Sequence, residues 1–390
     1  MGRTFPTDRE EKRQVLLEAV ERVRDTLRAG ADEAEANATL PPATVQALDD
    51  AGLLALKLPA VLGGAEADLV TQLEVLEAVT YIDTSAGWCT LIGAAAIASL
   101  GAFLADEAMA QIFVDGQVPR AAGAFMPSGQ AVPVEGGYQV SGRWAFASGI
   151  RHASWVSGTA WVVRGGVQTD ERRVFVVRAD EVEIHDTWHV AGLRGTGSCD
   201  FSVKDHFVPE AFTWDMERAR PQRGGPLYRL GLPGFVTNEH VAFALGVARR
   251  ALDAITALAA TKSRGVRPSP LAGRATVQRF LGEAELRLRA ARALAVELNE
   301  AAWTTVQIGD DLTGRQHAEL RSAAVLATEV ALDITARAFR YAGGGALYDA
   351  SVLQRCLRDL SAGAQHFMVS DSAYEGLGQI LLGLPGEPMA

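Results

Sequence analysis

Three side chains alternate through GRWAFASGIRHASW, residues 142–155: Trp144, Phe146 and Ser148. In an extended backbone, residues two apart share a face. The spacing therefore predicts an apolar floor of two aromatics with one hydroxyl handle, with Arg143, Ala145 and Ala147 on the other side. Residue types alone leave two readings open. The face packs into a β-domain core with Ser148 bonded to backbone at the strand end, or it receives a bound ring system.

His366, in RDLSAGAQH, is the second group that could do chemistry. An imidazole near neutral pKa can give or take a proton, although a helix histidine is commonly satisfied inside the fold. His152 reads as a structural or β-domain surface contact. His185, His189 and His206 lack a convincing carboxylate–histidine ligand set, so no metal is expected. No Gly-x-Gly-x-x-Gly follows a strand and no Walker loop occurs, which argues against a nicotinamide or ATP site.

The 390 residues carry a formal net charge of −10, which argues against a nucleic-acid partner. Cys89, Cys199 and Cys356 are odd in number and far apart, as expected of reduced thiols in a cytoplasm. The start has no apolar h-region, so no signal peptide is read. The run LIGAAAIASLGAFLA, residues 91–105, is read as too short and too rich in Ala and Gly to span a bilayer.

Periodicity divides the chain into three zones. Residues 8 to about 115 show helical spacing. Residues from about 120 to 212 alternate with period two between Gly and Asp turns, which predicts a small antiparallel barrel or sandwich. From about 232 to 382 long helical patterns return. One of them offers Glu283–Arg287 and Glu285–Arg289 as i,i+4 pairs; another ends at a glycine run; SVLQRCLRDLSAGAQHFMVSDSAYEGLGQILLG reads as one last helix. The expected fold class is α+β. Its domains would be a helical 1–118, a β-domain 119–215 and a four-helix bundle 232–390.

This order, with several landmarks, resembles the acyl-CoA dehydrogenase superfamily over nearly the whole chain. KLPAVLGG is similar to the turn after the family's first helices. GGYQVSGRWAFASG resembles the hairpin that sets an aromatic against the isoalloxazine ring and a hydroxyl at flavin N5. On that match they are Phe146 and Ser148. GLRGTGSCDFSVKDHFVP resembles the next β-element, and FRYAGGGALYDASVLQRCLRD the glycine turn by the flavin's phosphate tail. The resemblance implies Trp88 lining the flavin or substrate cavity, Arg264 on the phosphates, and Gly343, Gly344 and Gly345 offering backbone N–H groups to the tail.

The dehydrogenases' Thr-Glu-Pro…Gly-Ser-Asp stretch is missing; AAGAFMPSGQAVPVEGGY stands in its place. WAFASGIRHASW and RDLSAGAQH instead resemble the two-component, group D flavin monooxygenases, which act on phenols, steroid fragments, thiophenes, indoles and polyketides. That likeness implies FAD or FMN in reduced form, a transient flavin reductase, O2 and an aromatic or polycyclic substrate. The reaction would pass through a C4a-(hydro)peroxyflavin, with Ser148 accepting from N5–H. His366 would control the peroxide's proton or help deprotonate the substrate. A homotetramer is also implied. SAYEGLGQILLG pulls toward the dehydrogenases, with Glu375 where their base would sit, although Leu377 replaces the threonine. The alternative is therefore an acyl-CoA dehydrogenase using Glu375. Otherwise Tyr374 and Glu375 are expected at the substrate.

Overall fold

The computed structural model describes residues 4–264 and 269–384, the side chains of 264 and 269 excepted. Ten α-helices fall among them: α1 (Arg9–Asn37), α2 (Pro42–Asp50), α3 (Leu69–Ile82), α4 (Thr84–Phe103), α5 (Asp106–Ile112), α6 (Gly231–Thr261), α7 (Ala275–Gln307), α8 (Gly314–Ala342), α9 (Val352–Gly363) and α10 (Ser372–Leu381). Between α5 and α6 run β1 (Ala121–Ala124), β2 (Gln130–Val134), β3 (Gly137–Ala147), β4 (Trp155–Arg164), β5 (Val167–Arg178), β6 (Glu183–His185), β7 (Cys199–Pro209) and β8 (Thr213–Asp215). The element order is helical, then strand-rich, then helical, as the sequence periodicity predicts.

The chain forms two compact units. The first holds residues 1–67, 88–190 and 194–228; the second holds 68–87, 191–193 and 229–390.

In the first unit, α1 starts where Asp8 accepts the Glu11 N–H at 3.0 Å and stops where Ala38 turns left-handed at φ 49°. The sheet pairs in the order β6-β7-β3-β2-β4-β5-β8. Most ladders are antiparallel, but β1 and β2 both run parallel to β4, so the sheet is mixed. It bends over its own core. Trp144 of β3 stacks on Phe201 at 5.3 Å and meets Phe175 of β5 edge-on at 4.8 Å.

Helix α4 is longer than the apolar run read from sequence. It is the one described helix long and apolar enough to cross a membrane, and 67% of that window is buried in the protein.

In the second unit, α3 packs on α6, and α6, α7 and α8 pack together. The approach of α3 to α6 requires a residue without a side chain. A Cβ on Gly246 would lie 2.7 Å from the Glu77 carbonyl. The long helices are tied by charge between helices more than along them. Glu283 pairs with Arg287 at 3.5 Å but also with Arg337 of α8 at 3.0 Å. Glu285 bonds Arg249 of α6 at 2.8 Å, while Arg289 of its own helix, the i,i+4 partner expected from sequence, acts on it by charge alone. Asp359, fully buried, accepts from the Leu193 N–H at 2.7 Å and from the Thr84 hydroxyl.

The single last helix read from sequence is broken. After α9 the chain turns through a 3-10 segment, Phe367–Val369, before α10. The His366 side chain caps that turn by accepting the Met368 N–H at 3.3 Å, and Arg321 of α8 donates to the Phe367 carbonyl at 3.0 Å. These side chains satisfy backbone groups that a continuous helix would have paired internally.

Candidate functional site

Strand β3 breaks register against β7 between Trp144 and Ala147. Phe146, inside that break, takes φ 65°, a left-handed conformation costly for a bulky aromatic. The expected shared face is therefore corrected. Trp144 is 1% exposed in the core, Phe146 is 72% exposed, and Ser148 is again buried at 5%. The backbone reversal turns Phe146 out, where it meets Trp188 edge-on at 6.3 Å.

Among the described residues the Ser148 hydroxyl bonds to side chains and not to backbone. It accepts from the Trp88 indole Nε1 at 3.1 Å and lies 2.7 Å from the Ser198 hydroxyl, which is 2.7 Å from the Thr196 hydroxyl. Ser198 and Thr196 are buried at 2% and 0%. Gly149, next along, adopts φ 74° and donates its N–H to the Thr196 carbonyl at 2.9 Å. A Cβ there would meet His152 Nε2 at 2.8 Å. Burial, with Arg120 nearby, pushes His152 down to about 4, and its Nδ1 finds no hydrogen-bond partner among the described residues.

The second unit carries the other candidates. The His366 ring lies 4.3 Å from that of His240 and 4.8 Å from that of Phe367. Burial pushes His366 down to about 4, below the near-neutral value expected from sequence, so it is uncharged at pH 7. Because Nδ1 accepts the Met368 N–H, the ring proton sits on Nε2 and that atom is a donor. Arg321 Nη2 also reaches the Ser370 and Ser372 hydroxyls at 3.3 and 3.0 Å, fixing the segment that carries His366.

Gly343 ends α8 at φ 67°, and Gly344 opens onto free space. Gly345 stands beside Lys262 Nζ, 2.9 Å from where its Cβ would be. Tyr374 donates to Glu329 at 2.9 Å, and burial raises its pKa. Glu375 is exposed in the first turn of α10. The backbone of Arg264 pairs with Ser269, but its side chain lies outside the described residues.

Sequence reasoning missed Ser198, Thr196, His240 and Arg321. The turn GTGS was in view, yet its hydroxyls had no assigned partner. His240 closes a run of four buried polar residues on α6, Thr237 to His240, and that run was a legible signal.

A bound flavin fits the residues present. Phe146 supplies an exposed aromatic face, and Ser148 a nearly buried hydroxyl oriented by an indole N–H. Among the described residues no cluster of His, Cys, Asp and Glu could hold a metal ion.

Residues 9–112 match the acyl-CoA dehydrogenase N-terminal domain model, and residues 239–371 match the C-terminal domain model. The chain is 30% identical to indole-3-acetate monooxygenase of Pseudomonas putida over 367 residues, 93% of each protein. It is 28% identical to the flavin-dependent monooxygenase oxygenase subunit HsaA of Mycobacterium tuberculosis, over 95% of this chain and 96% of that one. The HsaA crystal structure superposes with a TM-score of 0.88 at 27% identity, covering 96% of this chain and 99% of that one. The fold also matches XiaF from Streptomyces, solved with FADH2 and glycerol, with a TM-score of 0.90 at 24% identity over 97% of each chain.

Proposed function

This chain belongs to the acyl-CoA dehydrogenase superfamily, in its flavin-dependent monooxygenase branch, and on that premise we propose that it hydroxylates an aromatic or polycyclic small molecule with reduced FAD or FMN delivered by a separate reductase. The relatives named for indole-3-acetate and the oxygenase-subunit name support this substrate class and the need for a reductase. When bound, reduced flavin supplies the two electrons that split dioxygen, one oxygen atom going to the substrate and the other to water.

The chain's own residues do the rest. Ser148 would hold flavin N5, its position fixed by Trp88 Nε1 at 3.1 Å. Phe146 and Trp88 would flank the ring system and exclude water from it. His366, uncharged and with its proton on Nε2, would donate a hydrogen bond to an oxygen of the reacting group. Tyr374 and Glu375 would bind substrate; Arg264, Gly343 and Gly344 would hold the cofactor tail. We assign the domain limits 1–118, 119–215 and 232–390, a homotetramer and a cytoplasmic location to the same reading.

One observation carries the proposal: a nearly buried serine hydroxyl, 5% exposed, held by an indole N–H beside a strained, exposed phenylalanine. An acyl-CoA dehydrogenase with Glu375 as base is not favoured, because the relatives are monooxygenases and Glu375 is exposed. Anaerobic mixing of the FAD-loaded protein with acyl-CoA thioesters tests the choice. The monooxygenase reading expects no bleaching of the flavin, and rapid bleaching would reverse it.

A further inference from the structure

We propose that Ser148, Ser198 and Thr196 form a reversible hydroxyl chain that lets Ser148 accept from reduced flavin and donate to oxidised flavin. The inference rests on the flavin reading above and goes beyond it by assigning work to Ser198 and Thr196. A serine hydroxyl has one proton and two lone pairs. The Trp88 indole can only donate, so it always occupies one lone pair of Ser148. One lone pair and one proton remain, to be divided between Ser198 and a ligand.

Two arrangements follow, and the 2.7 Å oxygen separations suit both. In the first, Ser148 donates to Ser198 and Ser198 to Thr196, which leaves a Ser148 lone pair for the N5–H of reduced flavin. In the second, Thr196 donates to Ser198 and Ser198 to Ser148, which leaves the Ser148 proton for the N5 lone pair of oxidised flavin. The hydroxyls exchange roles by rotation about their C–O bonds, and no proton leaves its oxygen. Burial of all three at 5% or less keeps water from substituting for a missing partner.

Removing Ser198 breaks this symmetry. Among the described residues the Ser148 proton then loses its acceptor. It can still donate to oxidised N5, but when Ser148 accepts from reduced N5–H its own proton is left buried and unpaired. Ser198 is thus a positioning residue that selects for the reduced state.

The test measures anaerobic dissociation constants of FAD and FADH2, and the bound midpoint potential, for wild type, Ser198→Ala, Ser198→Thr and Thr196→Val, with thermal unfolding as the folding control. In Ser198→Ala, FADH2 should bind about tenfold more weakly while FAD changes less than twofold. That is a two-electron potential lower by about 30 mV. Thr196→Val, which keeps the side-chain shape, should move in the same direction by less, and Ser198→Thr should restore the wild-type ratio. Equal losses for both flavin forms, or none in either Ser198→Ala or Thr196→Val, would overturn the hydroxyl chain while leaving the flavin reading intact. A wild-type protein that binds neither form overturns both.

Discussion

The imidazole of His366 stacks on that of His240, their centroids 4.3 Å apart and their planes tilted by 33°. Burial holds His366 down to about 4, so the ring is uncharged at neutral pH. The contact sets the ring plane of the group expected to donate.

His366→Ala should lower hydroxylated product per flavin oxidised by roughly a hundredfold, while FADH2 affinity changes only a few-fold. His240→Phe, which keeps a ring against His366, should retain most of the product yield, and His240→Ala should lose most of it. Product yield and flavin affinity are measured on the same samples. Equal falls in both would assign His366 to the fold.

Ser148→Ala should leave the protein folded but uncouple it. Hydrogen peroxide released per flavin oxidised should rise several-fold at the expense of product, since the acceptor proposed for N5–H is gone. Unchanged coupling would remove Ser148 from the site.

Phe146 is held at φ 65° while 72% exposed, so it loses backbone energy and buries little. Phe146→Gly should leave stability unchanged or raise it by about 1 kcal/mol, because glycine adopts this conformation without strain. The same change should weaken flavin binding. Urea unfolding and flavin titration together check the trade; a large loss of stability would mean that Phe146 serves the fold.

Stability should fall in acid through buried histidines. His152 and His366 are held at about 4, against about 6.5 in an unfolded chain. Between those values the unfolded chain binds the proton and the folded chain does not, so stability is full above 6.5 and declines as pH falls toward 4. At pH 5.5 the loss is roughly 1 kcal/mol for each histidine. Thermal unfolding at pH 7.5 and 5.5 should show it, and His152→Asn should remove about half.

The clamp from Arg321 gives a separate expectation. Arg321→Met deletes donors to the Phe367 carbonyl and the Ser370 and Ser372 hydroxyls. It should cost about 1–2 kcal/mol and lower product yield with it. Arg321→Lys should recover part of the stability; limited proteolysis between residues 364 and 372 would register the loosening.

Much of the architecture was legible because the spacing of apolar residues changes from helical to period two and back, and each zone became the element type its period demanded. The candidate site could be read from sequence as residue types, not as orientations. Nothing in WAFAS announces that Phe146 reverses its backbone, because the reversal depends on register against β7. The break after α9 was hidden for a related reason. Arg321, which stabilises it, lies 46 residues earlier in the chain than the Phe367 carbonyl it binds. Ser198 escaped notice because its partner Ser148 is 50 residues away.

The central claim is oxygen transfer from O2 to an aromatic substrate, and isotope labelling reads it directly. The protein, loaded with enzymatically reduced FAD and mixed with 18O2 and an indole or phenol, should yield product carrying one 18O atom. Product lacking the label, or hydrogen peroxide alone across a panel of indoles, phenols and polycyclic compounds, would contradict it.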